Sequence, residues 1–376
     1  MHIENFKCFK DFDIELGPFN VLIGPNDSGK TAFLQAIRLA GAVPLDEWAK
    51  PVLLSQIGLG LGRDLVWKQD PEANIHLRIQ KLGGQGKPEW PSVVVRSNPQ
   101  MHIQATIEET PGAIPQVSRA REKLPEGWQK GWHQNALGEG GNYSGWRVGY
   151  YRMDPHALRQ PSPVRDSILQ MDGTGLASFL ADLRLAPSRV FDELQNAFLQ
   201  PPRHHYAGIR IAQRLIGMAN FKNQGPKEVD CFVLKFALRD DGELPAEDVS
   251  DGVMLSLAYL ALYYGENRPH ILLIEEPENS VHHASLKEII ATLKDMAEKG
   301  TQVILTTHSP YLLDQVEPAE VRVFAKDEEG AVHAVNLAEY PDVEKLREQE
   351  FMTGEIWSML EESKIVEKVR ASGAGT

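Results

Sequence analysis

The segment Gly24-Pro25-Asn26-Asp27-Ser28-Gly29-Lys30-Thr31 fits the pattern GxxxxGK[ST], between a mostly apolar run, Phe19 to Ile23, and an amphipathic stretch, Lys30 to Ala40. Strand, glycine-rich turn and helix in that order are the setting in which this pattern cradles phosphate. Glycines let consecutive backbone N–H groups curl into an anion nest at the positive end of a helix. Lys30 then reaches the β- and γ-phosphates of a nucleoside triphosphate, and the Thr31 hydroxyl binds Mg²⁺. Gly24, Asn26, Asp27, Ser28, Gly29, Lys30 and Thr31 are therefore candidate nucleotide-binding residues, Thr31 also as a metal ligand. In the helix, Phe33, Ile37 and Ala40 recur at spacings of four and three, which predicts one apolar face packed under a sheet.

Three further constellations carry chemistry. Ile271-Leu272-Leu273-Ile274-Glu275-Glu276-Pro277 reads as a buried strand ending in two adjacent carboxylates. Neighbouring positions at a strand end point in different directions. Glu275 can therefore face a metal while Glu276 holds a water in line with the γ-phosphate. Thr306-Thr307-His308-Ser309-Pro310 follows another apolar strand, Val303 to Leu305. Strand carboxyl ends line up along one edge of a parallel sheet, which places His308 beside the carboxylates as a γ-phosphate contact. Val249-Ser250-Asp251-Gly252-Val253 precedes an apolar helix and, taken alone, reads as an N-cap, with Ser250 or Asp251 capping and Gly252 turning.

Between these motifs the chain organises into four segments: 1–45, carrying the phosphate loop; 46–160, an antiparallel β lobe with a loop insertion; 161–225, a helical subdomain; and 226–376, with the remaining motifs. Strands are expected at His2 to Lys7, Phe12 to Leu16, Phe19 to Ile23, Ile75 to Ile79, Val93 to Arg96, His102 to Ile107, Ile209 to Ala212, Cys231 to Leu238, His270 to Ile274 and Val303 to Thr306. Helical periodicity covers Val164 to Leu199, Gly252 to Tyr264 and Ser280 to Glu298. The glycine-rich stretch Gly127 to Trp146 carries Trp128, Trp132 and Trp146, which serve as packing anchors or as base-stacking platforms.

The chain has 376 residues, 42% hydrophobic and 24% charged, which excludes a largely disordered protein. Its longest strongly apolar stretch, Val253 to Tyr264, is too short to span a bilayer, and residues 1–10 carry no secretory pattern, so a soluble cytoplasmic protein is expected. Cys8 and Cys231 leave no CxxC pair for zinc or redox work. With 39 basic and 52 acidic residues the net charge is -13, so nucleic acid is repelled at long range and any DNA contact needs a local basic patch. The best candidate runs from Arg203 to Lys227, with Arg203, His204, His205, Arg210, Arg214, Lys222 and Lys227. The adjacent pairs His204-His205 and His282-His283 are not expected to hold zinc.

Together and in this order, the four motifs resemble those of the ATP-binding-cassette class of P-loop ATPases, in which Val249 to Val253 looks like the signature segment. More narrowly the chain resembles the branch holding RecF, structural-maintenance-of-chromosomes heads and the overcoming-lysogenization-defect (OLD) nucleases, and within it the RecF-like AAA-labelled ATPases. The opening Glu4-Asn5-Phe6-Lys7-Cys8-Phe9 looks like this branch's first strand, and the resemblance places Lys7 near the base and ribose. Tyr151-Arg152-Met153-Asp154-Pro155, Asp172-Gly173-Thr174-Gly175-Leu176-Ala177 and Gly354-Glu355-Ile356-Trp357 extend the likeness. It implies an α/β P-loop NTPase of ABC-ATPase type, with a mixed central sheet, an antiparallel β subdomain and a helical signature subdomain. It further implies ATP and Mg²⁺ as cofactors and an ATP-dependent homodimer, in which Ser250 and Gly252 of one subunit touch the γ-phosphate held by the other. The output goes to DNA, as in double-strand-break repair, or to a co-encoded effector or nuclease, as in phage defence.

Three departures qualify the likeness. The metal carboxylate is Glu275 where the wider class has Asp, although Glu-Glu-Pro-Glu is familiar in the OLD-like branch. No glutamine matches the Q-loop, whose place falls near Arg152 to Leu158. The stretch after His308 is too short for a TOPRIM nuclease, so none is expected in cis. Two rivals stand beside the leading reading. An ABC transporter motor calls for a glutamine coupling loop, a signature closer to LSGGQ and a shorter insertion, none of which is present. A nucleotide-gated scaffold with little turnover uses the same carboxylates and stays open.

Overall fold

The computed structural model describes residues 1–42, 48–49, 65–70, 73–79, 92–97, 103–108, 147–164, 167–186, 189–201, 203, 205–218, 227–265 and 268–371. Contacts gather them into two units, one of Met1–Gly149, Pro269–Leu273 and Val316–Thr376, the other of Tyr150–Arg268 and Ile274–Gln315. The first opens with β1 (His2–Phe6), β2 (Phe9–Asp13), β3 (Phe19–Ile23), α1 (Lys30–Ala42), β4 (Trp48–Ala49), β5 (His76–Ile79), β6 (Ser92–Ser97) and β7 (Ile103–Glu108). β8 (Val148–Tyr151) leads into the second, with α2 (Pro155–Leu158), β9 (Ser162–Pro163), α3 (Leu176–Leu185), α4 (Val190–Phe198), β10 (Tyr206–Met218), β11 (Lys227–Leu238), β12 (Glu243–Pro245) and α5 (Asp251–Tyr264). After β13 (Ile271–Glu275) come α6 (His283–Glu298), β14 (Gln302–Thr306) and α7 (Pro310–Leu313). The first unit resumes with β15 (Val321–Lys326), β16 (Val332–Asn336), α8 (Val343–Glu348), α9 (Thr353–Met359) and α10 (Glu362–Ala371).

In the first unit an antiparallel sheet runs in the order β2-β1-β5-β6-β7-β4, the meander that short alternating runs predict. β1 and β2 are joined tightly, Phe6 facing Phe9 across Lys7 and Cys8. The second strand therefore starts at Phe9, not at Phe12, and Phe9 and Phe12 are both buried with ring centroids 4.7 Å apart. β3, the strand that delivers the phosphate loop, is buried throughout and pairs in parallel with β15, which pairs antiparallel with β16. α1 buries Phe33, Leu34, Ala36, Ile37, Leu39 and Ala40, the face its periodicity predicts. Phe33 there meets Phe9, Phe12 and Phe324 at centroid separations of 6.4, 6.0 and 5.6 Å, a cluster joining helix, hairpin and β15.

In the second unit the helical reading of Val164 to Leu199 holds only from Leu176 onward, as α3 and α4. The residues before it turn back through bonds of Gln170 N–H to Thr174 O and Gly173 N–H to Gln170 O. Gly175 ends the turn at φ +94°, where a Cβ would stand 2.1 Å from Ile168 O, so a side chain fits neither the dihedral nor the space. β10 and β11 are far longer than expected, pairing from Tyr206 and Leu238 out to Met218 and Lys227. The outer half of β10 exposes Arg214 and Leu215, so the alternation that marks a half-buried strand fades there while the backbone ladder continues. α5 is buried on nearly every side, as its even hydrophobicity demands, whereas α6 buries one stripe, Leu286, Ile289, Ile290, Leu293 and Met296. Among the described residues no helix is long and apolar enough to cross a membrane. Gly127 to Trp146 lies outside the described residues.

Truncating the centre of the aromatic cluster, Phe33→Ala, is expected to cost about 3–5 kcal/mol in urea unfolding. A loss below about 1 kcal/mol would show that the cluster does not hold α1 in place.

Candidate functional site

In the first unit the phosphate loop is shaped by its own lysine. The Lys30 ammonium donates to Gly24 O at 2.8 Å, Pro25 O at 2.9 Å and Ser28 Oγ at 3.4 Å, and Lys30 is only 7% exposed. Gly24 has φ +145°, and a Cβ there would lie 2.3 Å from Phe324 O, so the close approach of β15 admits only glycine where the loop begins. Ser28 is buried, Asn26 and Asp27 are exposed, and Lys326 on β15 holds Asp27 at 2.6 Å. Thr31 is exposed in the first turn of α1, and that turn carries no acidic residue of its own to offset the positive helix end. Lys7 occupies the β1–β2 turn at φ 52° and donates to Gln35 Oε1 on α1 at 2.5 Å. Burial holds its ammonium pKa below the usual value.

In the second unit the two adjacent carboxylates differ as the strand-end geometry predicts. Glu275 completes β13, is buried, and its Oε1 has no hydrogen-bond partner among the described residues. Glu276 leaves strand geometry at φ 48°, fixed by its N–H to Thr306 O at 3.0 Å, while Asn279 Nδ2 donates to its Oε2 at 2.9 Å. Eight non-glycine residues among those described have positive φ, and Lys7, Asp27 and Glu276 are three of them. Such backbone costs of the order of 1 kcal/mol or more and gathers at functional sites.

Two residues near these carboxylates escaped the sequence reading of roles. Glu278 accepts from Thr307 Oγ1 at 2.6 Å and from the His308 N–H at 3.0 Å, so it sets the turn from which the exposed His308 projects. Its Oε2 is buried without a partner, and burial raises its carboxyl pKa against the lowering effect of the two bonds it accepts. Arg152, in the stretch left without a Q-loop assignment, places Nη2 3.5 Å from Glu276 Oε2 and Nη1 4.0 Å from Glu275 Oε2. The Glu-Glu-Pro-Glu run itself was the available signal for Glu278; for Arg152 only its motif-like neighbourhood was.

The signature-like segment is gripped from behind. Arg159, which ends α2, donates to Ala246 O at 3.1 Å and to Val249 O and Asp251 Oδ1 at 2.6 Å. Ser250 takes the N-cap place of α5 but makes no capping bond and is exposed. Gly252 is buried where a Cβ would meet Ser285 Oγ of α6 at 3.3 Å. The basic stretch divides. Arg203 is interior, bonded to Glu288 at 2.5 Å and Phe198 O at 2.6 Å, which removes it from any surface patch. Arg210 pairs with Glu243, Arg214 is exposed, and His204, Lys222 and the side chain of Lys227 lie outside what is described. His205 lies against Tyr206, His282 caps α6 and His283 lies against Tyr311.

These features fit ATP with Mg²⁺. The tight glycine start, the inward lysine and the exposed Thr31 suit a triphosphate, and the orphaned Glu275 oxygen suits a hard cation that prefers oxygen ligands.

Comparison with known proteins agrees at the level of fold and broad family. Residues 154–314 match the family model described as "AAA domain, putative AbiEii toxin, Type IV TA system", and residues 1–41 match an AAA ATPase domain. An OLD nuclease of Thermus scotoductus is 46% identical over 39 residues, 10% of this chain and 7% of that protein. "Putative ABC transporter ATP-binding protein TTE0246" of Caldanaerobacter subterraneus is 23% identical over 159 residues, 42% of this chain and 57% of that protein. Among solved structures, an SMC head bound to the C-winged helix domain of ScpA superposes with TM-score 0.53 at 13% identity, over 89% of this chain and 96% of that one. An Smc head with an extended coiled coil, bound to the C-terminal domain of ScpA derived from Pyrococcus furiosus, gives TM-score 0.52 at 13% identity, over 93% and 98%. The chain has the α/β fold of a P-loop NTPase of ABC-ATPase type, with parallel and antiparallel strands.

The raised pKa of Glu278 has a measurable sign. A carboxyl lifted above its ordinary value adds stability that is full below that value and is lost as pH rises through the raised one. Glu278→Gln cannot ionise. The melting temperature of the variant minus that of the wild type is therefore expected to grow as pH rises above the ordinary glutamate value of about 4.3. A difference that is flat or falls would contradict the assignment.

Proposed function

We propose that the chain is a Mg²⁺-dependent ATPase of the RecF, SMC-head and OLD-like kind, whose ATP-bound form dimerises and passes its change of state to DNA or a partner effector. The observation that carries this reading is the unequal pair at the end of β13: Glu275 buried with an unsatisfied oxygen, Glu276 turned out of the strand and steadied by Asn279. Lys30 and the loop N–H groups would hold the β- and γ-phosphates, Thr31 would hold Mg²⁺ from the loop, and Glu275 is the carboxylate suited to a metal. Bound Mg²⁺ supplies neutralisation of phosphate charge. Glu276 orients the attacking water and takes its proton, and His308, set by Glu278, contacts the γ-phosphate side. Lys7 lies toward the base and ribose.

Dimerisation follows from the signature-like segment. The exposed, uncapped Ser250, between Val249 and Asp251 that Arg159 grips, suits a second copy's γ-phosphate better than a purely structural cap, with Gly252 two positions on as the second expected contact. Such an interface is two-fold and isologous. Coupling to double-strand DNA, as in break repair, draws on Arg210 and Arg214 of the hairpin. Coupling to a co-encoded effector or nuclease, as in phage defence, needs no basic surface.

Glu276→Gln is expected to keep ATP binding, lower turnover by roughly 10²- to 10⁴-fold and accumulate as an ATP-bound dimer in light scattering. Ser250→Arg is expected to bind ATP as a monomer without hydrolysis. Wild-type turnover in both variants, with one oligomeric state throughout, would overturn the proposal. A wild type that dimerises with ATP but scarcely hydrolyses it, with or without DNA, would replace it by the nucleotide-gated scaffold.

A further inference from the structure

We propose that Arg152 is a counter-ion gate on the metal carboxylates: its guanidinium neutralises Glu275 and Glu276 when no metal is bound and must leave for a divalent cation to bind. The inference rests on the assignment of Glu275 as a metal ligand. Three acidic side chains, Glu275, Glu276 and Glu278, crowd the end of β13 and the turn after it. A buried carboxylate needs a compensating charge or hydrogen bonds, and Glu275 has one oxygen with no partner. Its other oxygen faces Arg152 Nη1 at 4.0 Å, while Nη2 lies 3.5 Å from Glu276.

The two ends of Arg152 differ in freedom. Its backbone is pinned, its N–H donating to Met171 O at 2.8 Å and the Asp154 N–H to Asp172 O at 2.8 Å, with Asp154 also capping α2. Its side chain is 60% exposed, so no packing locks the guanidinium in place. A guanidinium is a cation with five donors and no acceptor, so it cannot ligate a metal ion. The gate therefore opens by moving. Metal binding and the hold of Arg152 on the carboxylates are then linked, each weakening the other by the same factor. A glutamine in this place would bring no charge and no such competition.

The test uses the full chain without nucleotide, with Mn²⁺ as the probe and water-proton relaxation as the readout. Arg152→Gln is expected to bind Mn²⁺ about two- to fivefold more tightly than the wild type, the range that exposed ion pairs support. Arg152→Lys, which keeps the charge, is expected to behave like the wild type, and unchanged melting of both variants separates the effect from misfolding. Equal or weaker Mn²⁺ binding by Arg152→Gln, or none in either protein, overturns the gate. Glu275→Gln distinguishes the two levels of failure. If it abolishes Mn²⁺ binding while Arg152→Gln matches the wild type, only the gate falls. If Mn²⁺ binding survives Glu275→Gln, the metal assignment falls and takes the gate with it.

Discussion

The Lys30 ammonium, turned into three oxygens of its own loop, is the interaction around which the nucleotide reading is built. A buried ammonium is tolerated only when its donors are matched, and here Gly24 O, Pro25 O and Ser28 Oγ match them. That requires the loop to leave β3 at an angle only glycine allows, with Phe324 of β15 close against it. The parallel pairing of β3 with β15 and the aromatic cluster under α1 thus serve the loop as much as the core.

The second unit solves a different problem, which is to hold several carboxylates close together. It does so by giving each a distinct environment. Glu275 is buried at a strand end, Glu276 is displaced by an unfavourable dihedral, and Glu278 is tied into the turn before His308. Separate environments let chemically identical groups take separate roles. The same unit grips its signature-like segment through Arg159, seven positions after Arg152, so one short stretch touches both the carboxylates and the start of α5.

Much of this was legible in the sequence because it is local. The phosphate loop, the acidic strand end and the apolar faces of α1 and α6 are set by residues adjacent in the chain or one helical turn apart. What escaped was set at a distance. Arg203 looks like a surface cation until Glu288, 85 residues away, is brought beside it. The role of Glu278 depends on Thr307, 29 residues on, and that of Arg152 on a fold that returns to it after more than a hundred residues. The β10–β11 hairpin was underestimated because its outer half buries little, and the pairing of β15 with β3 had no local signal at all.

Calorimetric titration of Mg²⁺-ATP into the wild type and Lys30→Ala measures whether the Lys30 loop binds the phosphates of ATP. One ATP per chain is expected in the wild type and at least about tenfold weaker binding in the variant, the loss of one charge-assisted phosphate contact. Equal affinity in the two proteins, with both folded, would contradict it.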